Sequence, residues 1–364
     1  MFGFELEDEQ KMIRDTVGAF ARDEIRPAGR SVDEGASIPT ALLGKASELG
    51  LVRGLIPEVY GGYGDARSAV TGAVVCEELA YGDLAIALHL MAPRLIALPV
   101  MEMGTHEQRK KYLPKFATAD FHPASAAIVE PRFDFDTSAL TTTARRDGSN
   151  YVISGEKCFV PMAAESDEVL VFADLGSSVE AFIVARETKG IRISEREKNM
   201  GVKGLATYEV ALDQCRVGID TRLGGEQGIN FNRVISQSRV ALSAMGVGLM
   251  RSAFEYARDY AKERKAFGAP IATKQAIAFI LADMAIEIDA SRLLVLDAAA
   301  RLDKAGDSLK ESYLARNYVA NSALKVTDNA VQVLGGHGYI REHPVEMWLR
   351  NARGLSSIEG VAIV

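Results

Sequence analysis

From about residue 150 to residue 212 the apolar residues of this chain stop recurring at helical spacing and gather into short β-branched runs. Tyr151-Val-Ile-Ser154, Glu168-Val-Leu-Val-Phe172, Glu180-Ala-Phe-Ile-Val184, Ile191-Arg-Ile-Ser194 and Tyr208-Glu-Val-Ala-Leu212 are each too short for a helix. Turn residues separate them, among them Asp147-Gly148, Gly155, Gly176 and Gly190. Such spacing predicts an antiparallel sandwich or barrel. The period on either side is helical, so the fold must hold a β-unit between two helical ones. That order is α+β and excludes an alternating βαβ chain.

In the first zone Met12, Ile13, Val17, Phe20 and Ile25 keep helical spacing, and Pro27 and Gly29 are expected to end that helix. Ile38-Pro39-Thr40 opens another, through Leu42, Leu43 and Leu49 to Gly50. The glycines of Pro57–Gly64 mark a loop. Helical patterns resume over Ala66–Tyr81, Leu84–Met103 and Glu107–Phe116. In the third zone one long helix is expected over Val240–Phe267, with two more over Ile277–Lys304 and Leu309–Leu334, forming a bundle. The expected domains are 1–120, 121–225 and 226–364.

Hydrophobic residues at 48% and charged residues at 25% describe a globular chain, not a disordered one. Lys+Arg is 42 against Asp+Glu 49, a formal charge of −7, which disfavours nucleic acid or an anionic membrane as main partner. Cys76, Cys158 and Cys215 form no CxxC pair, so neither a zinc site nor a disulfide framework is expected, and a reducing cytoplasmic compartment fits. The acidic stretch Met1–Gln10 has no apolar core and does not read as a signal peptide. Ala85–Met103 is the most apolar stretch, but His89, Pro93, Arg94 and Pro99 interrupt it too often for a membrane span. The five histidines show no ligand spacing, so no metal is expected; His337 and His343 read as surface or packing residues.

Several spaced motifs accompany the three-zone order. They are Gly104-Thr-His-Glu-Gln108 with Lys111-Tyr-Leu-Pro114, Glu130-Pro131, Arg264-Lys-Ala-Phe267-Gly268, Gln332-Val-Leu-Gly335-Gly336-His-Gly338, Pro344-Val345-Glu346 and Ile358-Glu359-Gly360. In this order, over nearly the whole chain, the set resembles the acyl-CoA dehydrogenase family. The resemblance implies an N-terminal helical domain, a middle antiparallel β-domain and a C-terminal four-helix-bundle domain. It also implies FAD, a tetramer, an acyl-CoA substrate oxidised to the trans-2-enoyl-CoA, and an electron-transferring flavoprotein as acceptor. That chemistry asks for a carboxylate to take the α-proton while hydride leaves the β-carbon for flavin N5, with the thioester carbonyl polarised by hydrogen bonds.

By the resemblance Glu359 is the base. Ile358 gives it an apolar neighbour, and Gly360 lets backbone come close to a ligand. Arg239 brings positive charge near the substrate, and Ser238 stands where some branches carry their base. Arg264, Phe267 and Gln275 match a segment that reaches a neighbouring subunit's FAD, an arginine fork suiting a pyrophosphate. Gln332, Gly335 and Gly336 match a turn passing close to the same cofactor. In isolation Arg264 reads better as a helix-end cation and the glycines as a helix-ending turn; spaced together as here, the cofactor reading is the better one. Val129 and Phe159 stand at flavin-facing positions of the strand zone.

That zone departs from the family pattern. The family usually shows Thr-Glu-Pro-Gly-Ala-Gly-Ser-Asp, where this chain has Val129-Glu-Pro-Arg132-Phe133-Asp134-Phe135-Asp136. Trp-Ile-Thr-Asn is replaced by Phe159-Val-Pro161-Met162, and the threonine after Glu-Gly is Val361. Pro161 removes a hydroxyl and an N–H together. The groups a chain offers its own flavin are altered, while those it lends to a neighbour persist. Three readings follow: an acyl-CoA dehydrogenase chain in a homotetramer, a non-catalytic or half-site subunit completing the FAD site of a paralogous chain in a heterotetramer, or a flavin oxidase or monooxygenase relative on the same fold. Retention of Glu359 favours the first, and the lost hydroxyls favour the second.

Overall fold

The computed structural model describes residues 5–35, 37–64, 66–304 and 308–364; the first four residues of the acidic N-terminal stretch lie outside them. Helix α1 (Asp8–Phe20) opens on a capping box between Glu7 and Gln10. It does not stop before Pro27. A π-helical turn, Ala21–Ile25, carries it into α2 (Arg26–Asp33), which contains both Pro27 and Gly29. The wider turn hands the Arg26 N–H to the Ala21 carbonyl, and such a turn can absorb the hydrogen bond a proline cannot make.

Helix α3 (Thr40–Glu48) and α4 (Ala69–Gly82) follow the sequence spacing. The single run expected over Leu84–Met103 is two helices, α5 (Leu84–Met91) and α6 (Arg94–Met103), parted at Pro93. Both are almost wholly buried. Among the described residues no single helix is long and apolar enough to cross a membrane; this bent pair passes that test together, and it is core. Arg94, buried at their junction, donates Nε and Nη2 to the Leu51 carbonyl at 2.8 and 2.5 Å. Helix α7 (His106–Phe116) starts with a Thr105–Gln108 capping box. The Gln108 amide also donates to the carbonyls of Asp220 and Arg222, fastening the helical zone to the strand zone.

The middle zone is one seven-stranded sheet: β1 (Ser125–Ala127), β2 (Thr143–Asp147), β3 (Asn150–Pro161), β4 (Glu168–Asp174), β5 (Val179–Ala185), β6 (Ile191–Ile193) and β7 (Thr207–Gly218). Its order is β1-β4-β2-β3-β7-β6, with β5 also on β4. Most pairs are antiparallel, but β1 and β2 each meet β4 in parallel, because the chain crosses over between them. Strands β1 and β2 carry no apolar alternation, one being three small residues and the other mostly polar, so periodicity could not reveal them. The β3–β7 ladder slips between Lys157 and Val160, where Phe159 takes a left-handed backbone with φ 51°. That bulge turns the end of β3 toward the third zone.

There α8 (Phe231–Glu263) is capped by Asn230, whose side chain accepts from the Arg233 N–H at 3.1 Å. It therefore begins well before Val240 and ends before Phe267. A short hairpin, β8 (Lys265–Ala266) and β9 (Ala269–Pro270), leads to α9 (Gln275–Asp303), α10 (Leu309–Leu334), α11 (Gly336–Tyr339) and α12 (Val345–Leu355). Helices α8 and α10 run in the same direction, Gly246 meeting Val319 and Tyr260 meeting His337. On the other side of α8, Gly248 faces the backbone of α4: a methyl there would strike the Glu77 carbonyl and lie 2.8 Å from the Tyr81 nitrogen. Backbone cannot step aside as a flexible side chain can. Gly248→Val is expected to destabilise the protein by at least the roughly 1–3 kcal/mol of ordinary overpacking, read as a lowered urea midpoint with unchanged m-value.

Candidate active site

The loop after α12 carries Glu359 into the angle between α8 and α10. Gly360 turns it with φ 72°, and a Cβ there would run into the Ile128 side chain. This glycine is thus required by backbone conformation and by packing on the chain leaving β1. Its N–H donates to Ser238 Oγ at 3.1 Å, so Ser238 holds the loop. Arg316, on the buried face of α10, donates Nη2 to the carbonyls of Leu355 (2.5 Å) and Ile358 (2.7 Å).

Two guanidinium groups flank the Glu359 carboxylate. Arg239 Nε lies 3.4 Å from Oε1, and Arg316 Nε lies 3.6 Å from Oε2. The side chains of Arg239 and Glu359 are only 12% and 17% exposed. Despite this, Oε1 accepts no hydrogen bond, and Nε and Nη1 of Arg316 make none. The setting is therefore ionic, not the apolar one that Ile358 led us to expect. Burial pushes the Arg316 guanidinium below its ordinary value, with Glu359 pulling the other way. Arg239 also sits over the Tyr313 ring at 5.3 Å and reaches Thr137 Oγ1 at 3.4 Å.

Beside this loop is a cavity of about 160 Å³ lined by Phe159, Met200, Leu205, Thr207, Gly354 and Ile358, among others. It has an aromatic wall and apolar neighbours, which fit a face of a flat heteroaromatic ring. Asn199, Arg353 and Ser357 add polar groups to its lining, but the β3–β7 side offers few donors. Pro161, paired with Thr207 in the ladder, has no N–H. The Thr207 hydroxyl is committed to Glu197 (2.6 Å) and Asn199 (2.8 Å). The Phe159 N–H donates to Glu197 Oε1 at 3.2 Å. Val129 is buried, its carbonyl accepting from the Cys158 N–H at 3.0 Å. Behind this wall is a buried ion pair: Lys157 Nζ lies 3.1 Å from Glu130 and 3.0 Å from the Ile128 carbonyl.

The remaining expected site residues are elsewhere. Arg264, Gln275, Gln332, Gly335 and Gly336 are all exposed, and Phe267 is 96% exposed. They share the end of the bundle where α8 and α10 stop and α9 begins. Gly335 has φ 58° and ψ −132° with open space where a Cβ would point, so its conformation, not crowding, asks for glycine. His337 and His343 stack at 5.5 Å and bond Tyr260 and Tyr256 through Nδ1, a packing role. Arg239 lies near the start of α8 and Arg264 just past its end, about 37 Å apart at 1.5 Å per residue. The two groups of expected site residues therefore lie at opposite ends of α8.

Sequence reading missed Arg316, although a cation on the stripe Ser312, Ala315, Val319 and Ala323, all buried, was a signal. It also missed Lys157. His122, Asp167 and Glu168 come within ligand distance of one another without any sequence spacing to show it, and the Lys115 ammonium already sits 2.5 Å from Glu168.

Three domain families match the chain: acyl-CoA dehydrogenase N-terminal domain over residues 7–120, middle domain over 125–215 and C-terminal domain over 228–362. The acyl-CoA dehydrogenase of Bacillus subtilis (strain 168) is 34% identical over 361 residues, covering 97% of this chain and 94% of that protein. The solved butyryl-CoA dehydrogenase of Megasphaera elsdenii is 28% identical with a TM-score of 0.87, covering 97% of this chain and 95% of that one. A chain in the structure of the electron transferring flavoprotein of Acidaminococcus fermentans is 31% identical with a TM-score of 0.86, covering 97% and 94%.

The Glu130–Lys157 pair yields a pH prediction. Burial raises the Glu130 carboxyl, but the Lys157 charge and the donors of Thr141 and Thr142 more than offset it and hold it down at about 2. A folded value below the ordinary 4.5 stabilises above that pH and is lost as pH falls toward 2. Glu130→Gln is expected to cost about 3 kcal/mol near neutrality, as for breaking a buried pair. Urea unfolding should show its deficit against wild type shrinking as pH is lowered below 4.5.

Proposed function

The chain belongs to the acyl-CoA dehydrogenase family, and we propose that Glu359 is the base that takes the α-proton as an acyl-CoA thioester is desaturated between its α- and β-carbons. The family makes the chain an oxidoreductase with FAD as its cofactor. FAD supplies a two-electron acceptor for the hydride of the β-carbon. The observation that carries the assignment is a mostly buried carboxylate whose Oε1 accepts no hydrogen bond, its neighbour Arg239 Nε standing 3.4 Å away, on the loop whose Ile358 lines the Phe159 cavity. A base needs an unoccupied lone pair in reach of its proton. Arg239 and Gly360 are the substrate-side residues of this reading, and Val129 and Phe159 face the chain's own flavin ring.

Arg264, Phe267, Gln275, Gln332, Gly335 and Gly336 serve the FAD of a neighbouring subunit. Their exposure and their distance from Glu359 support this. So does a stripe of exposed apolar residues at seven-residue spacing on α9, Phe279, Ile286 and Leu293, which suits burial in a tetramer. The electron acceptor of this reading is an electron-transferring flavoprotein in the cytoplasm.

A second reading, the half-site subunit of a heterotetramer, is favoured by the flavin-side residues. Val129 and Val361 are buried and apolar, and Pro161 donates nothing. Arg132, where the family has glycine, folds onto Glu130 and the Ala139 carbonyl.

Glu359→Gln keeps the shape and removes the base. Enoyl-CoA formation in stopped-flow flavin reduction should fall about 10²–10⁴-fold, and an unchanged rate would refute the assignment. Flavin per chain separates the two assemblies. One FAD per chain in a homotetramer is the leading expectation, and half that number, only when a paralogous chain is co-purified, replaces it with the heterotetramer.

A further inference from the structure

A guanidinium sealed in a helical bundle is destabilising unless it finds partners, and every hydrogen bond Arg316 makes goes to one short segment. It is 6% exposed, on a face of α10 otherwise made of Ser312, Ala315, Val319 and Ala323. Its Nη2 holds the carbonyls of Leu355 and Ile358 at 2.5 and 2.7 Å. Its Nε stands 3.6 Å from Oε2 of Glu359. The three groups lie at the last residue of α12 and on the stretch that leaves it and turns at Gly360. Beyond Leu355 that stretch has no helix or strand of its own to fix it. Its other fastening near Glu359 is the Gly360 N–H on Ser238 Oγ. Arg239, the second cation at Glu359, holds neither backbone carbonyl and instead reaches Thr137 and the Tyr313 ring.

We infer that Arg316 is the positioning residue of the site: it sets the direction in which Glu359 presents Oε1 by clamping the backbone on the N-terminal side of that residue. The inference rests on Glu359 being the base. Arg316 Nε and Nη1 make no hydrogen bond, so the clamp is made through the carbonyls. Both carbonyls accept from the same nitrogen, Nη2. A lysine ammonium keeps the charge and enough N–H donors for two carbonyls, but on a flexible stem without the planar guanidinium that holds that nitrogen in place.

The test uses the flavin-loaded assembly that contains this chain, with saturated acyl-CoA thioesters from butyryl to palmitoyl and ferrocenium as acceptor. Arg316→Met should lower kcat about a hundredfold, the order of loss for a reacting group displaced by an ångström. KM and flavin content should stay near wild type, and amide hydrogen exchange across residues 355–361 should accelerate. Arg316→Lys should recover part of kcat and part of the exchange protection. Normal kcat in Arg316→Met, while Glu359→Gln is inactive, overturns the inference and leaves the base assignment standing. A silent Glu359→Gln overturns the base assignment, and the inference with it. If Arg316→Met does not fold, Arg316→Lys decides: slower turnover with faster exchange supports the clamp, and no change in either overturns it.

Discussion

The close approach of α4 and α10 to opposite sides of α8, at Gly248 and Gly246, is the constraint from which the site's geometry follows. A methyl on Gly246 would stand 2.5 Å from Val319 and 3.0 Å from Leu355, so the bare backbone there seats both α10 and the end of α12. Interiors packed at crystal density transmit such a fixed distance along rigid helices. Arg239 lies about two turns before Gly246, and Arg316 about one turn before Val319. The two guanidinium groups therefore arrive on either side of the loop that leaves Leu355. Glu359 meets both because the loop has nowhere else to go.

Irregular backbone near the site is held in one repeated manner, by buried cations on carbonyls. Arg94 takes the Leu51 carbonyl, Lys157 takes that of Ile128, and Arg316 takes those of Leu355 and Ile358. Each carbonyl lies outside the regular ladder bonds, and a buried one must find a donor. A long basic side chain can supply it from an element that is itself rigid. Lys157 shows what this asks of the cation: burial lowers its ammonium to about 8, although Glu130 pulls it up. Lys157 and Glu130 fix the strand ends bearing Val129 and Phe159, so the wall and the base are placed by the same device.

The order of helices, strands and helices was legible in the sequence because it is written in period. Ile358-Glu359-Gly360 stood out as a motif, and the structure sets its carboxylate between Arg239 and Arg316. Continuation through Pro27 was not legible, because a π turn leaves no compositional mark. Strands β1 and β2 escaped for want of alternation, being held by neighbours and not by their own apolar face. The setting of Glu359 was misjudged for another reason. Ile358 is adjacent in sequence, but Arg239 and Arg316 are 120 and 43 residues away and decide the electrostatics. Arg316 could have been noticed as a charge on a buried helical stripe, but its target could not.

Helix α8 separates two ends of the bundle, with Arg239 beside Glu359 near its start and Arg264 just past its end. On the proposed reading the far end serves a neighbour's FAD, and the two sets could then diverge independently: loss of donors at Val129, Pro161 and Val361 would weaken only the chain's own ring site, and loss of Arg264 a neighbour's. A buried polar group left unmet costs about 1–3 kcal/mol, so a flavin facing Pro161 must find its donors on backbone or on a partner. Arg316 bears on the choice between assemblies. A guanidinium buried to hold the Glu359 loop is expensive to keep where the carboxylate does no chemistry, since an apolar residue would fill the space at least as stably. The strand side of the site argues for a lender of groups, and the helix side argues for a chain that still uses its own base.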